Sequence, residues 1–250
     1  MLPTLFRKLH GIYAAAVFVV VVLLIHCPLL IVLPTLPARR AVGRFGVRLW
    51  MLLSFMPFRV RGLEHLPDGP CIVICNHASY LDGILLTAAL PSRFTFLVQS
   101  RAAEWPYVGL VIKRMGVQFV NRWSAREAAV ATRALIDGLK AGESYAIFPE
   151  GTFRAPPVLL PFQSGAFLIA ARAGVPVVPT VLRGSRRLLG EGRRLFTWSA
   201  IEIECFAPLR ASADSRAAAD TLSVTARAVM LAHCGDVDGS FLPPPVKVES

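Results

Sequence analysis

The 23 residues from Gly11 to Leu33 contain no Asp, Glu, Lys or Arg. A run of that length suffices for a helix that crosses a bilayer, which takes ~20 apolar residues. It constrains the fold more than any other stretch, because the rest of the chain must be built onto a helix that water alone would not solvate. His26 and Pro28 interrupt the run, so a kinked, re-entrant or hairpin course is open alongside a spanning one. A cleaved leader is disfavoured, since no small-x-small site follows. Arg7 and Lys8 precede the run, and Arg39, Arg40, Arg44 and Arg48 follow it. The larger following cluster predicts that the bulk of the chain lies on the cytoplasmic side of the cell inner membrane. Ala41–Met56 reads as a second apolar helix ending at Pro57, so residues 1–57 are expected to form a two-helix membrane anchor.

From Phe58 onward, short β-branched runs alternate with helical patterns. The strand candidates are Phe58–Arg61, Cys71–Asn76, Phe94–Gln99, Val117–Asn121, Tyr145–Phe148, Val177–Val181 and Ile201–Phe206. Between them, helices are predicted at Leu81–Leu90, Ala102–Arg114, Ala125–Ala141, Gly165–Ala173 and Ser215–His233. The third of these carries Ser124 and Glu127 spaced as a capping box and ends at Gly142. Such alternation predicts an α/β fold, a mostly parallel sheet flanked by helices, over residues 58–240. Residues 241–250 are expected to be a loose tail.

Lys and Arg number 27 against 16 Asp and Glu, a formal net charge of +11. A basic chain seeks nucleic acid, anionic lipid or an anionic substrate. Joined to an apolar N-terminus, the charge favours an anionic membrane surface, and no nucleic-acid module is recognisable, so no nucleic-acid partner is expected. The five cysteines show no Cys-x-x-Cys spacing, which argues against a disulfide framework and for a reducing compartment. The five histidines are scattered without ligand spacing, so no metal is expected.

In parallel sheets, ligands collect outside the strands' carboxyl ends. The run Cys71–Asp82 places His77 at one such end, with Asp82 five residues on in the first turn of the next helix. A general base needs one ring nitrogen free and the other N–H held by an acceptor, and Asp82 can be that acceptor. The nearby helix N-terminus favours a neutral imidazole. A lone His and Asp beside a turn more often cap it, and three further clusters raise the odds. Gly116–Arg122 is a strand ending in a cation; Phe148–Arg154 contains Glu150, Gly151, Thr152 and Arg154; Val175–Pro179 is a strand bracketed by prolines.

In order and spacing, these clusters resemble the four motifs of the glycerolipid acyltransferase family, whose best-known members are lysophosphatidic acid acyltransferases. Asn76–Asp82 matches the family's His-x4-Asp motif, Gly116–Arg122 the second, Glu150-Gly151-Thr152 the third and Val175–Pro179 the fourth. The resemblance implies transfer of a fatty acyl group from acyl-CoA or acyl carrier protein to the free hydroxyl of lysophosphatidic acid, giving phosphatidic acid. His77 would be the base, oriented by Asp82. Arg122 would grip the acceptor's phosphate, Glu150, Gly151 and Thr152 would shape its pocket, and Arg154 would be a further substrate-binding cation. Beyond the acyl thioester co-substrate, no cofactor is implied. Many relatives carry Lys where this chain has Gln99 and Gln163, which opens a lyso-ornithine lipid or another lysophospholipid as alternative acceptor. A non-catalytic lipid-binding protein is the remaining alternative, and it would have no use for His77 and Asp82. No Gly-x-Ser-x-Gly elbow is present, which argues against a serine hydrolase.

Overall fold

The computed structural model describes residues 2–120 and 125–240. Arg122, the Ser124 cap and the tail 241–250 therefore lie outside the described residues. The chain opens on a long helix composed of α1 (Leu2–Val17), a π-helical segment (Phe18–His26) and α2 (Cys27–Val32). The wider turn lies where the sequence interrupts its apolar run. The Cys27 N–H reaches Val22 O, five residues back, and the His26 ring bonds Val21 O at 2.6 Å. Pro28, which has no N–H to give, lies in the first turn of α2, directly after the π-helical segment. Thr4–Val32 is long and apolar enough to cross a membrane. A second helix, α3 (Leu36–Leu53), starts at Leu36 rather than at Ala41, with Pro37 in its first turn, where proline is suited.

The α/β region then runs β1 (Phe58–Arg61), β2 (Ile72–Cys75), α4 (Asp82–Ala89) and β3 (Phe94–Gln99). It continues through α5 (Val108–Arg114), β4 (Gln118–Val120), α6 (Ala125–Lys140), β5 (Ser144–Ile147) and β6 (Val158–Leu159). After these come α7 (Gly165–Ala173), β7 (Val177–Arg183), α8 (Ser185–Leu189), β8 (Ile201–Cys205), α9 (Arg216–Cys234) and β9 (Val237–Asp238). Among the described residues, seven strands form one sheet in the order β1-β8-β7-β2-β5-β3-β4, in which only the β7–β8 pair is antiparallel. The central place falls to β2, whose four residues are all buried, as an apolar run flanked on both sides requires.

The sheet separates two cores, and the two-residue period of β2 feeds both. Val73 and Cys75, with Cys71 just before them, pack with Trp50 and Met51 of α3 and Leu85 and Leu86 of α4. On the other face, Ile72 and Ile74 pack with Leu139 of α6, Phe167 of α7 and Met230 of α9. The predicted helix Ala102–Arg114 is divided. A 3-10 turn, Ser100–Glu104, stops at Trp105, because Pro106 disfavours helical backbone in the residue before it. The short pairing of β6 with β9 and the single-turn α8 carried no periodic signal and are additions to the predicted elements.

The arginines expected to mark the membrane surface have a second use. Arg48 Nε donates to Ala88 O at 2.9 Å and Arg44 Nη2 to Ala89 O at 3.2 Å, which caps the C-terminus of α4. Arg40 donates to the carbonyls of Ser92, Met115 and Gly116 and to Thr95 Oγ1. Arg39 bonds Leu33 O, Pro34 O and Arg114 O. Through these bonds α3 is fixed to the α/β region.

Candidate active site

His77 follows the C-terminal end of β2 and is held from both neighbouring strands. Toward β7, the Asn76 side chain takes the place of one more ladder residue: Nδ2 donates to Leu182 O at 3.0 Å, and Oδ1 accepts from Leu182 N at 2.7 Å. Toward β5, Glu150 Oε1 accepts the His77 main-chain N–H at 2.6 Å, while Oε2 accepts the Leu160 N–H at 2.8 Å. The backbone of His77 is thus pinned by one residue on each side before its ring makes any contact.

The ring is fixed by α4. Asp82, at the first position of that helix, is fully buried, and its Oδ2 lies 2.7 Å from His77 Nδ1. The same oxygen accepts the N–H groups of Ala78 at 2.6 Å and Ser79 at 2.8 Å, closing the turn between strand and helix. A carboxylate only accepts, so Nδ1 carries the ring proton and Nε2 presents its lone pair. The His77 side chain is 21% exposed against none for Asp82, so the free side of the ring meets the surface. Phe148 stacks on the imidazole at 4.4 Å between centroids, and Phe153 packs at 4.6 Å. Tyr80 meets Phe153 edge-on.

His77 is therefore in direct contact with both Asp82 and Glu150. Gly151 has φ +74 and turns the chain after Glu150. Thr152 is half-buried beside it, and the carbonyl of Arg154 accepts from the Arg186 guanidinium. Ser79 ties the turn to α8: its Oγ donates to Leu189 O at 2.7 Å. Sequence reasoning missed the side-chain bridge of Asn76 and the packing of Phe153 on the ring. An aromatic directly after Glu150-Gly151-Thr152 was the available signal. Among the described residues no group of three or more His, Cys, Asp or Glu could hold a metal ion.

Burial pushes the Glu150 carboxyl from its ordinary 4.5 up to about 8, partly offset by the two N–H groups it accepts. The folded protein thus keeps a proton that the unfolded chain releases near pH 4.5. The stabilisation this gives is fully present below that pH and is lost as pH rises to about 8. Thermal unfolding of wild type and Glu150→Gln between pH 5 and 9 should show the wild type's advantage shrinking by on the order of a few kcal/mol. A gap that stays constant or widens with pH would refute this account.

A mostly parallel sheet with a partly exposed His–Asp pair at the end of its central strand, its backbone held by a buried acid that follows the adjacent strand, defines an α/β protein with a candidate site at the sheet's carboxyl edge. Residues 57–183 match the Acyltransferase family model, and the chain belongs to that family. It is 33% identical over 196 residues to the chloroplastic 1-acyl-sn-glycerol-3-phosphate acyltransferase LPAT1 of Arabidopsis thaliana, covering 74% of this chain and 54% of the relative. With the human 1-acyl-sn-glycerol-3-phosphate acyltransferase beta it shares 30% identity over 207 residues, 77% of this chain and 73% of that one. A chloroplastic relative from Brassica napus, BAT2, is 36% identical over 62% of this chain and 46% of its own length. The chain thus spans about half the length of the plant relatives. The crystal structure of PlsC, the 1-acyl-sn-glycerophosphate acyltransferase of Thermotoga maritima, has the same fold at 22% identity. Its TM-score is 0.66, over 91% of this chain and 96% of that one.

Proposed function

We propose that this protein is a membrane-bound O-acyltransferase that moves a fatty acyl group from acyl-CoA or acyl carrier protein to the free hydroxyl of lysophosphatidic acid. The observation that carries the reading is the 2.7 Å contact between His77 Nδ1 and a fully buried Asp82, which leaves Nε2 as the accepting nitrogen. In this mechanism Nε2 takes the hydroxyl proton as the oxygen attacks the thioester carbonyl. The C–S bond then breaks, and the departing thiolate takes the proton back from the imidazolium. The thioester is already activated, so a base, positioning and dipoles for the developing oxyanion suffice. Gly151, Thr152 and Arg154 serve the acceptor pocket, and Arg122 its phosphate. Glu150 acts on the acceptor only through the backbone it holds.

The apolar helix Thr4–Val32 supports attachment to the membrane where a lyso-lipid resides. We place the α/β region on the cytoplasmic face of the inner membrane. A second reading, a different lyso-lipid acceptor, is favoured by Gln163, an uncharged residue whose main-chain N–H bonds Pro149 O, next to Glu150 in the chain, at 2.8 Å. The test is release of free thiol from labelled acyl thioester in detergent micelles, across a panel of acceptors. Release that requires lysophosphatidic acid supports the first reading. Equal turnover with acceptors lacking the phosphomonoester supports the second, and release without any lyso-lipid defeats both.

A further inference from the structure

The segment that follows β7 carries charge that the acyl-transfer chemistry does not use. Together with Ala155 and Asp236, residues between Gly184 and Arg193 line an open cleft of ≈ 630 Å³. Three guanidiniums, of Arg186, Arg187 and Arg193, face it with two carboxylates, of Glu191 and Asp236. Both carboxylates are engaged. Asp236 Oδ2 accepts from Arg186 Nη2 at 2.8 Å, and Glu191 accepts the Ala155 N–H. Arg186 also donates to the carbonyls of Arg154 and Pro156, so it is a strut in the wall. Arg187 and Arg193 are exposed, and neither has an acid partner within salt-bridge distance among the described residues. Arg193 makes one long bond, to Thr197 Oγ1 at 3.3 Å. Their two charges are the ones a ligand would meet.

The cleft adjoins the acyl-transfer site. A smaller cavity of ≈ 120 Å³ shares Gly184, Arg186 and Asp236 with it and is lined by Asn76 and Ala78, the residues flanking His77. Ser185, fully buried, lines that cavity with a hydroxyl that has no hydrogen-bond partner. The turn into α8 depends on Gly184 at φ +89, where a Cβ would come within 2.0 Å of Ala200 O. The rim is therefore shaped by tight backbone and studded with cations rather than lined with apolar side chains.

We propose that Arg187 and Arg193 form a subsite for a phosphate ester of one substrate, set beside the site of acyl transfer. The proposal rests on the acyl-transfer reading for the identity of the substrates. Planar guanidiniums offer paired donors to phosphate oxygens, and two of them on an open cleft make binding sensitive to salt. The phosphate belongs either to the carrier of the acyl thioester or to the lysophosphatidic acid acceptor. Titration calorimetry on the full chain in detergent micelles decides, with coenzyme A and lysophosphatidic acid as probes and an uncharged monoacylglycerol as control. For Arg187→Gln/Arg193→Gln, the affinity for one phosphorylated probe should fall by about tenfold, while monoacylglycerol binding stays within twofold. Loss for coenzyme A assigns the subsite to the donor, and loss for lysophosphatidic acid assigns it to the acceptor. Arg187→Lys/Arg193→Lys, which keeps the charge, should recover part of the loss. Affinities for both probes within twofold of wild type would overturn the proposal, as would an equal loss for monoacylglycerol or a wild type that binds neither probe. A wild type that transfers no acyl group defeats the reading of His77 instead, and the titration still decides the subsite.

Discussion

His77→Ala is expected to lower acyl transfer to lysophosphatidic acid by about 10²–10⁴-fold, the ordinary worth of a positioned base. The structure makes this a clean test. The substitution keeps the main-chain N–H that Glu150 Oε1 accepts, and Asp82 keeps its two backbone donors, Ala78 and Ser79. The ring's contacts with Phe148 and Phe153 and its bond to Asp82 Oδ2 are removed, and a side chain that is 21% exposed leaves no sealed cavity. The thermal midpoint should therefore move little while turnover collapses. Full turnover by folded His77→Ala protein would end the mechanism, and a loss matched by unfolding would leave His77 a structural residue.

Asp82 gives the second large effect, and two substitutions separate its two duties. In Asp82→Asn, the amide oxygen can occupy the place of Oδ2 and still accept from Ala78, Ser79 and His77, so the turn survives. What is lost is the charge that favours imidazolium as the proton arrives, and turnover should fall by about 10²–10⁴-fold with little change in stability. In Asp82→Ala, three donors lose their acceptor in a fully buried place. That should cost on the order of 3–5 kcal/mol of stability in addition to the activity. Chemical denaturation of both variants beside their turnover is the measurement. Equal stability of the two variants would show that Asp82 does not hold the turn.

The His77–Asp82 contact was legible because it is local: five residues, one tight turn, and a strand followed by a helix. The α/β order was legible for the same reason, since the two-residue and 3.6-residue periods change over within each unit. The grip of Glu150 on His77 was not, because it joins backbone to side chain across 73 residues and depends on β5 lying beside β2. Sequence placed Glu150 in the acceptor pocket, whereas both its oxygens are taken up by main-chain N–H groups. Arg40, Arg44 and Arg48 look like interfacial charge in one dimension; only the packing of α3 on α4 reveals the carbonyls they meet. The division of the predicted helix at Trp105 was signalled by Pro106 and outweighed by the apolar pattern around it.

The arginine bonds that fasten α3 to α4 have a practical result for anyone who would trim the N-terminus to obtain an easily handled catalytic fragment. Trp50 and Met51 share one interior with Val73 and Leu85, so a cut near residue 57 would strip the covering from one side of the sheet. The same cut would leave the carbonyls of Ala88 and Ala89 without the guanidiniums that reach them. Such a fragment would begin life with its strand of highest importance half unwrapped, and solubility would be the first thing it lost.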